Sequence, residues 1–250
     1  MSTGPSTQRI TIAGIAVSLA LLCWATLVLG PSAPMGNSFN AVTLLLFIGV
    51  WAVGMVAMML PSLLPMIYMV VSASKKSLRD RGTTGGPRTL VKPLQFVLGY
   101  FGIWSFVGVA AFLGLTFLFQ FYAPYFGMGG GLVGLAAGVA VFLAGVYQFS
   151  PLKQRALRAC RSPMNFVMTR WKEGRAAGFL MGLDYGFFCT KCCWAFMAVM
   201  VVVGGMSILW MVLFAGVIFV EKIAPRGVIV SWGLGILLMV AGVGLAALPS

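Results

Sequence analysis

At 250 residues, 60% hydrophobic and only 8% charged, with a mean hydropathy of +1.01, the chain carries more apolar surface than a soluble domain of its size can bury. Composition therefore predicts an all-α, polytopic transmembrane helix bundle and excludes an ordinary soluble enzyme. The net charge of +13 comes from 17 Lys+Arg against 4 Asp+Glu. In a soluble chain it would point to nucleic acid, but here the basic residues lie between apolar runs, so topology explains them and no nucleic-acid partner is expected.

In chain order, 1–9 is a short polar tail and 10–29 a first span of about the 20 residues a bilayer needs. The apolar part is long for a signal peptide and the stretch after Leu29 is a poor cleavage site, so a retained helix is expected. The second span, 41–72, contains Pro61 and Pro65 and is expected to kink or to run on past the membrane. A basic loop over 73–91 follows, with a glycine-rich linker inside it at 82–87. The third span is 93–121 and the fourth 132–149, joined by an uncharged loop. Residues 150–175 are basic and read as a short interfacial helix broken at Ser162-Pro163. The fifth span is 176–203, then a Gly204-Gly205 turn leads into a sixth at 206–220, and a seventh closes the chain at 228–248. No internal repeat is visible.

About seven spans make a charge pattern that can be checked. The N-terminus and the segments after spans two, four and six hold 16 of the 17 Lys+Arg, and the intervening loops hold none. The positive-inside rule then puts the N-terminus in the cytoplasm and the C-terminus outside.

The residue placed where lipid-facing sequence would carry something else is Lys191, the remaining cation, inside Cys189-Thr190-Lys191-Cys192-Cys193-Trp194. At about 100° per residue Cys189, Cys192 and Cys193 share one arc of a helix with Tyr185, Phe196 and Met200, and Asp184 and Lys191 lie together beside that arc. Ionisable groups at membrane depth are costly and face a bundle interior or a cavity. Asp184 and Lys191, about 10 Å apart along the axis, are read as a neutralising pair. Glu221, beside Lys222, is a solvated end residue of the sixth span, and Cys160 is an ordinary cysteine of the basic loop.

The second span adds Met55, Met58 and Met59, with Met66 and Met69 on the same broad face. Methionine is a flexible core filler and cysteine packs as a small apolar residue, so both groups have a purely structural reading. Thioether and thiolate sulfur are also soft ligands that select Cu(I), and two sulfur clusters at comparable depth would face each other. The chain contains no His, which removes the usual imidazole ligand. Cys189 and Cys192 also have the Cys-x-x-Cys spacing of a redox dithiol.

Trp51 with Met55 to Pro61 and Pro65, Lys153, Cys160-Arg161-Ser162-Pro163, Trp171, Gly174, Gly186-x-x-Cys189-x-x-Cys192-Cys193-Trp194, Met197 and Glu221-Lys222 resemble a family of bacterial integral membrane proteins predicted to bind metal, some described as copper chaperones. The resemblance runs over roughly 47–222. It implies a multi-pass protein of the bacterial inner membrane that handles a soft metal, most naturally Cu(I). Met55, Met58, Met59, Cys189, Cys192 and Cys193 would be the ligands and Asp184, Lys191 and Glu221 supporting charges. Its partners would be the lipid bilayer and a copper-dependent membrane enzyme or other membrane complex. The chain departs from the family pattern in having Tyr185 where a His is common, Lys191 where a Gly is common, and Ala156 where a second Cys often stands. Two other readings are a membrane thiol–disulfide oxidoreductase using Cys189 and Cys192, exchanging electrons with quinone, and a non-catalytic assembly subunit.

Overall fold

A computed structural model of the protein describes residues 5–30, 40–80, 82, 88–121, 131–204 and 207–247. Most of the linker, the loop between the third and fourth spans, and the second glycine of the Gly204-Gly205 turn lie outside the described residues. All regular structure among the described residues is helical: α1 (Pro5–Leu29), α2 (Ala41–Asp80), α3 (Arg88–Phe121), α4 (Gly131–Tyr147), α5 (Pro151–Arg161), α6 (Pro163–Arg170), α7 (Ala177–Gly204), α8 (Ile208–Ile223) and α9 (Gly227–Ala247).

Local chemistry sets several of these boundaries. Asn40 starts α2 by accepting the Val42 amide on its side-chain oxygen at 2.6 Å. The helix then continues for 40 residues, through Pro61 and Pro65, so the first part of the expected basic loop, up to Asp80, is helical. At 1.5 Å per residue it is about 60 Å long, twice the hydrocarbon thickness. Ser150 caps α5, accepting from the Lys153 amide at 3.2 Å, and Pro151 occupies the first turn, where no N–H is needed. The expected break at Ser162-Pro163 separates α5 from α6.

Among the described residues four helices are long and apolar enough to cross a membrane: 9–29 in α1, α2, 89–117 in α3, and α9. A fifth is added if α4 and α5, bent by 62° at a short break, are one broken span. The expectation of seven meets its limit in α8, which has only 16 residues, and in α7, whose 28 residues include Asp184 and Lys191. Large apolar side chains stand exposed around the outside, among them Leu22, Leu45, Phe106, Leu143, Leu213 and Leu237. A surface of that kind is suited to lipid.

α7 is the central element, packed against α3, α4, α5 and α8, while α2 closes the core from the other side through α3, α6 and α8. The α3–α7 approach is close because α7 presents small residues. A Cβ at Gly182 would meet the backbone of Phe96 and Tyr100 at 2.9 Å. That closeness brings Tyr100 of α3 over the cysteine arc of α7.

Candidate metal centre

The cysteine arc is buried. Cys189, Cys192 and Cys193 have no solvent exposure, and Phe196 and Met200 of the same arc are buried with them. Cys189 meets two polar groups from other helices: the Tyr100 hydroxyl at 3.1 Å and the Lys222 ammonium at 3.1 Å. Lys222, near the end of α8, also donates to Ser62 Oγ at 3.2 Å and approaches Met59 Sδ at 4.0 Å. One ammonium therefore bridges the sulfur of α7 and the sulfur of α2.

Cys160 joins this group, contrary to its reading as an ordinary loop cysteine. α5 buries Lys153, Ala156, Leu157 and Cys160 on one face and leaves its other residues outward. The Cys160 thiol is electrostatically linked to Cys189 and Cys192, and Cys193 to the same two, so the four thiols form a ring of mutually influencing groups. All are free cysteines. The ring is not a formed coordination polyhedron: among the described residues no three side chains of His, Cys, Asp or Glu are placed to hold an ion as they stand. Met55 and Met58 are buried in the same core, and of the three methionines singled out from sequence Met59 is the one seen to share a partner with the cysteines.

Two of the expected supporting charges sit elsewhere. Asp184 pairs with Lys172 at 2.9 Å and with Arg170 at 4.0 Å, both on the segment preceding α7. Lys191 instead lies 4.1 Å over the ring of Phe187, and its carbonyl accepts from the Tyr147 hydroxyl at 2.6 Å. The pairing fails because 172, entering from outside the helix, reaches Asp184 without either charge having to be buried. Glu221 is corrected in the opposite direction. It is fully buried, 2.8 Å from the equally buried Lys153. Lys153 also donates to Gln148 and lies 4.3 Å over the ring of Phe196. The Lys153–Glu221 pair is thus a second polar layer, one residue away from Lys222.

Tyr185 behaves as a hydrogen-bonded core residue. Its hydroxyl donates to the Cys160 carbonyl at 3.3 Å, and its ring packs against those of Phe96, Tyr100 and Phe166. Together with Tyr100 it walls the cluster on the α3 side. Sequence reasoning missed Tyr100, Ser62, Cys160 and Lys222. Of these, Cys160 had a signal in the helical spacing of Ala156, Leu157 and Cys160, whereas Tyr100 and Ser62 lie in featureless apolar runs.

Helical structure throughout the described residues, four or five helices among them able to cross a membrane, and a buried group of cysteines and methionine between α2, α5, α7 and α8 define the class. A family model described as PpoB2, copper chaperone, matches residues 48–245, and the chain belongs to that family. No curated protein and no solved structure matches it.

Proposed function

We propose that the chain is a multi-pass protein that carries Cu(I) as its cargo within the membrane, held by sulfur where α2, α5, α7 and α8 meet. The observation that supports this is that Lys222 touches both Cys189 of α7 and Met59 of α2, with Cys160, Cys192 and Cys193 buried and electrostatically linked to Cys189 or to one another. Soft thiolate and thioether ligands favour Cu(I), and harder cations prefer oxygen. Cys189, Cys192 and Cys193, with Cys160 as a fourth, supply thiol sulfur, two of them ionised to thiolates, and Met59 supplies a thioether, with Met55 and Met58 behind it. Small side-chain rotations close the thiols on the ion.

Charge supports the assignment. Among the buried groups Lys153 and Glu221 cancel, leaving Lys222 as an excess cation beside Cys189. Cu(I) bound by two thiolates, with the remaining cysteines kept as neutral thiols, is a monoanion, which the Lys222 ammonium offsets. An unpaired charge of either sign would be costly at this depth. Glu221 acts here through Lys153. Asp184 and Lys191 belong outside the site.

The topology that goes with this reading has seven spans, with α7 crossing at the centre of the bundle and the short α8 turning one face to the core and the other, with Leu209, Leu213 and Val220, outward to lipid. The N-terminus is cytoplasmic, the membrane is the bacterial inner membrane, and the recipient is a copper-dependent membrane enzyme or another membrane complex. Competition for Cu(I) between the purified protein and a chromophoric chelator tests the site. Cys192→Ser is expected to remove most binding, and Cys160→Ser to weaken it by about tenfold or more, the scale on which metal sites respond to altered shells. Unchanged binding in Cys192→Ser would refute the site. A copper-free protein isolated with a reducible Cys189–Cys192 disulfide would favour the thiol oxidoreductase instead, and a protein with neither would favour an assembly subunit.

A further inference from the structure

A cavity of about 320 Å³ opens where the end of α5 meets the turn between α8 and α9, and it is lined by Arg158, Arg161, Ser162, Pro225, Arg226 and Val228. Three of its six lining residues are arginines and none is acidic. The chain has four acids: Asp80 and Glu173 line a different cavity, Asp184 pairs with Lys172 and Arg170, and Glu221 is buried against Lys153. The cavity therefore concentrates positive charge without an internal counter-ion.

The arginines are held in different ways. Arg161 donates to the carbonyls of Ala224 and Pro225, the latter at 2.9 Å, and so fastens α5 to the α8–α9 turn. Gly227 permits this: a Cβ there would run into the Arg161 guanidinium. Arg158 is steadied through Nε, which donates to the Gln154 carbonyl at 3.3 Å, leaving its two terminal nitrogens unengaged. Arg226 is exposed, and its guanidinium has no ion pair among the described residues. Val228 brings the first turn of the 21-residue α9 to the wall, so the positive end of that helix dipole adds to the field. Ser162 contributes a hydroxyl that makes no capping bond to α6.

One fastened arginine, two exposed arginines beside it, a hydroxyl and a helix start around one cleft are the donors a phosphoryl group needs, since planar N–H forks match its oxygens. The cleft lies at helix ends on the face whose excess of Lys and Arg marks it as the cytoplasmic side, the level at which basic pockets meet anionic headgroups. We propose that this cleft is a phosphate-binding site that takes the phosphodiester of an anionic membrane lipid, with Arg158 and Arg226 as its direct ligands and Arg161 holding the wall. Because Arg161 and Cys160 are neighbours in α5, an occupied site would brace the end of the helix that carries Cys160. The site itself stands whether or not the chain carries copper.

The test uses the full chain, purified into mixed micelles with equal phosphatidylglycerol and phosphatidylcholine, and counts retained lipids by native mass spectrometry. Wild type is expected to retain phosphatidylglycerol preferentially, and Arg158→Gln with Arg226→Gln to reduce that preference roughly thirtyfold, the scale of two interfacial basic residues. Arg155→Gln removes one charge, half as much, from an exposed position of the same helix as Arg158, off the cleft, and is expected to leave the preference intact. Thermal unfolding of each variant checks that the fold is kept. Inorganic phosphate that protects wild type, but not the double variant, from unfolding without any lipid preference would assign the cleft to free phosphate and overturn the lipid. A loss in Arg155→Gln equal, per charge removed, to that in the double variant would reduce the preference to diffuse surface charge and overturn the site.

Discussion

The fully buried Lys153–Glu221 pair and the Lys222–Cys189 contact are the two places where single side chains decide most. Removing one partner of a buried ion pair strands the other, at a cost of about 3–5 kcal/mol, whereas replacing both with apolar groups is often neutral. Glu221→Gln or Lys153→Met alone is therefore expected to lower the unfolding temperature and the yield sharply, and the double Lys153→Met/Glu221→Leu variant to recover much of the loss. A double variant as poor as the singles would mean that the pair has a role beyond mutual neutralisation. Lys222→Met takes away the cation beside Cys189 and is expected to weaken Cu(I) binding by roughly 10–100-fold, as loss of an outer partner does. Tighter binding in that variant would identify the ammonium as a competitor of the metal rather than its counter-charge.

Sequence could not distribute these charges. Asp184 and Lys191 share a helix flank, and a helical wheel pairs them, but the wheel has no knowledge of Lys172, which reaches Asp184 from the preceding segment. Glu221 and Lys222 close an apolar run, where solvation is the ordinary fate. They are buried here because α5 bends back at its break and delivers Lys153 to Glu221. The three cysteines of α7 were legible because helical spacing alone puts them on one arc. The fourth needed the fold.

Among the elements, α5 and the α3–α7 seam govern the site. The sequence placed α5 correctly as a short basic helix ending before Pro163, yet its buried face was hidden because Lys153 belongs to it. The seam depends on close backbone approach. Gly182→Ala would press a methyl into the Phe96–Tyr100 backbone. Overpacking of this kind costs typically 1–3 kcal/mol. Since Tyr100 touches Cys189, the expected result is lower thermal stability together with weaker metal binding. Ala substitution at Gly102, where a Cβ meets nothing within 4 Å, is the control and is expected to change neither.

Among the described residues most helix ends lie near the ends of apolar runs, but α2 runs on to Asp80 and α3 begins at Arg88, both inside the stretch expected to be a basic loop. The number of crossings is less direct, because α7 and α8 spend length and hydropathy on the site. The topology argued from charge is checked by reporters active only in the cytoplasm: fusions after Arg81 and after Arg161 are expected to be active and one after Ser250 inactive. Activity at Ser250 would remove a crossing or invert the orientation.

The central claim is that sulfur from α2, α5 and α7 meets at one copper ion. X-ray absorption at the copper edge of the loaded protein, kept reduced, reads this directly. The expected spectrum is that of Cu(I) with a first shell of sulfur and no imidazole pattern, because the chain contains no His. It should lose sulfur scatterers in Cys192→Ser and in Cys160→Ser. A shell dominated by oxygen or nitrogen, or one unchanged in both variants, would contradict the account.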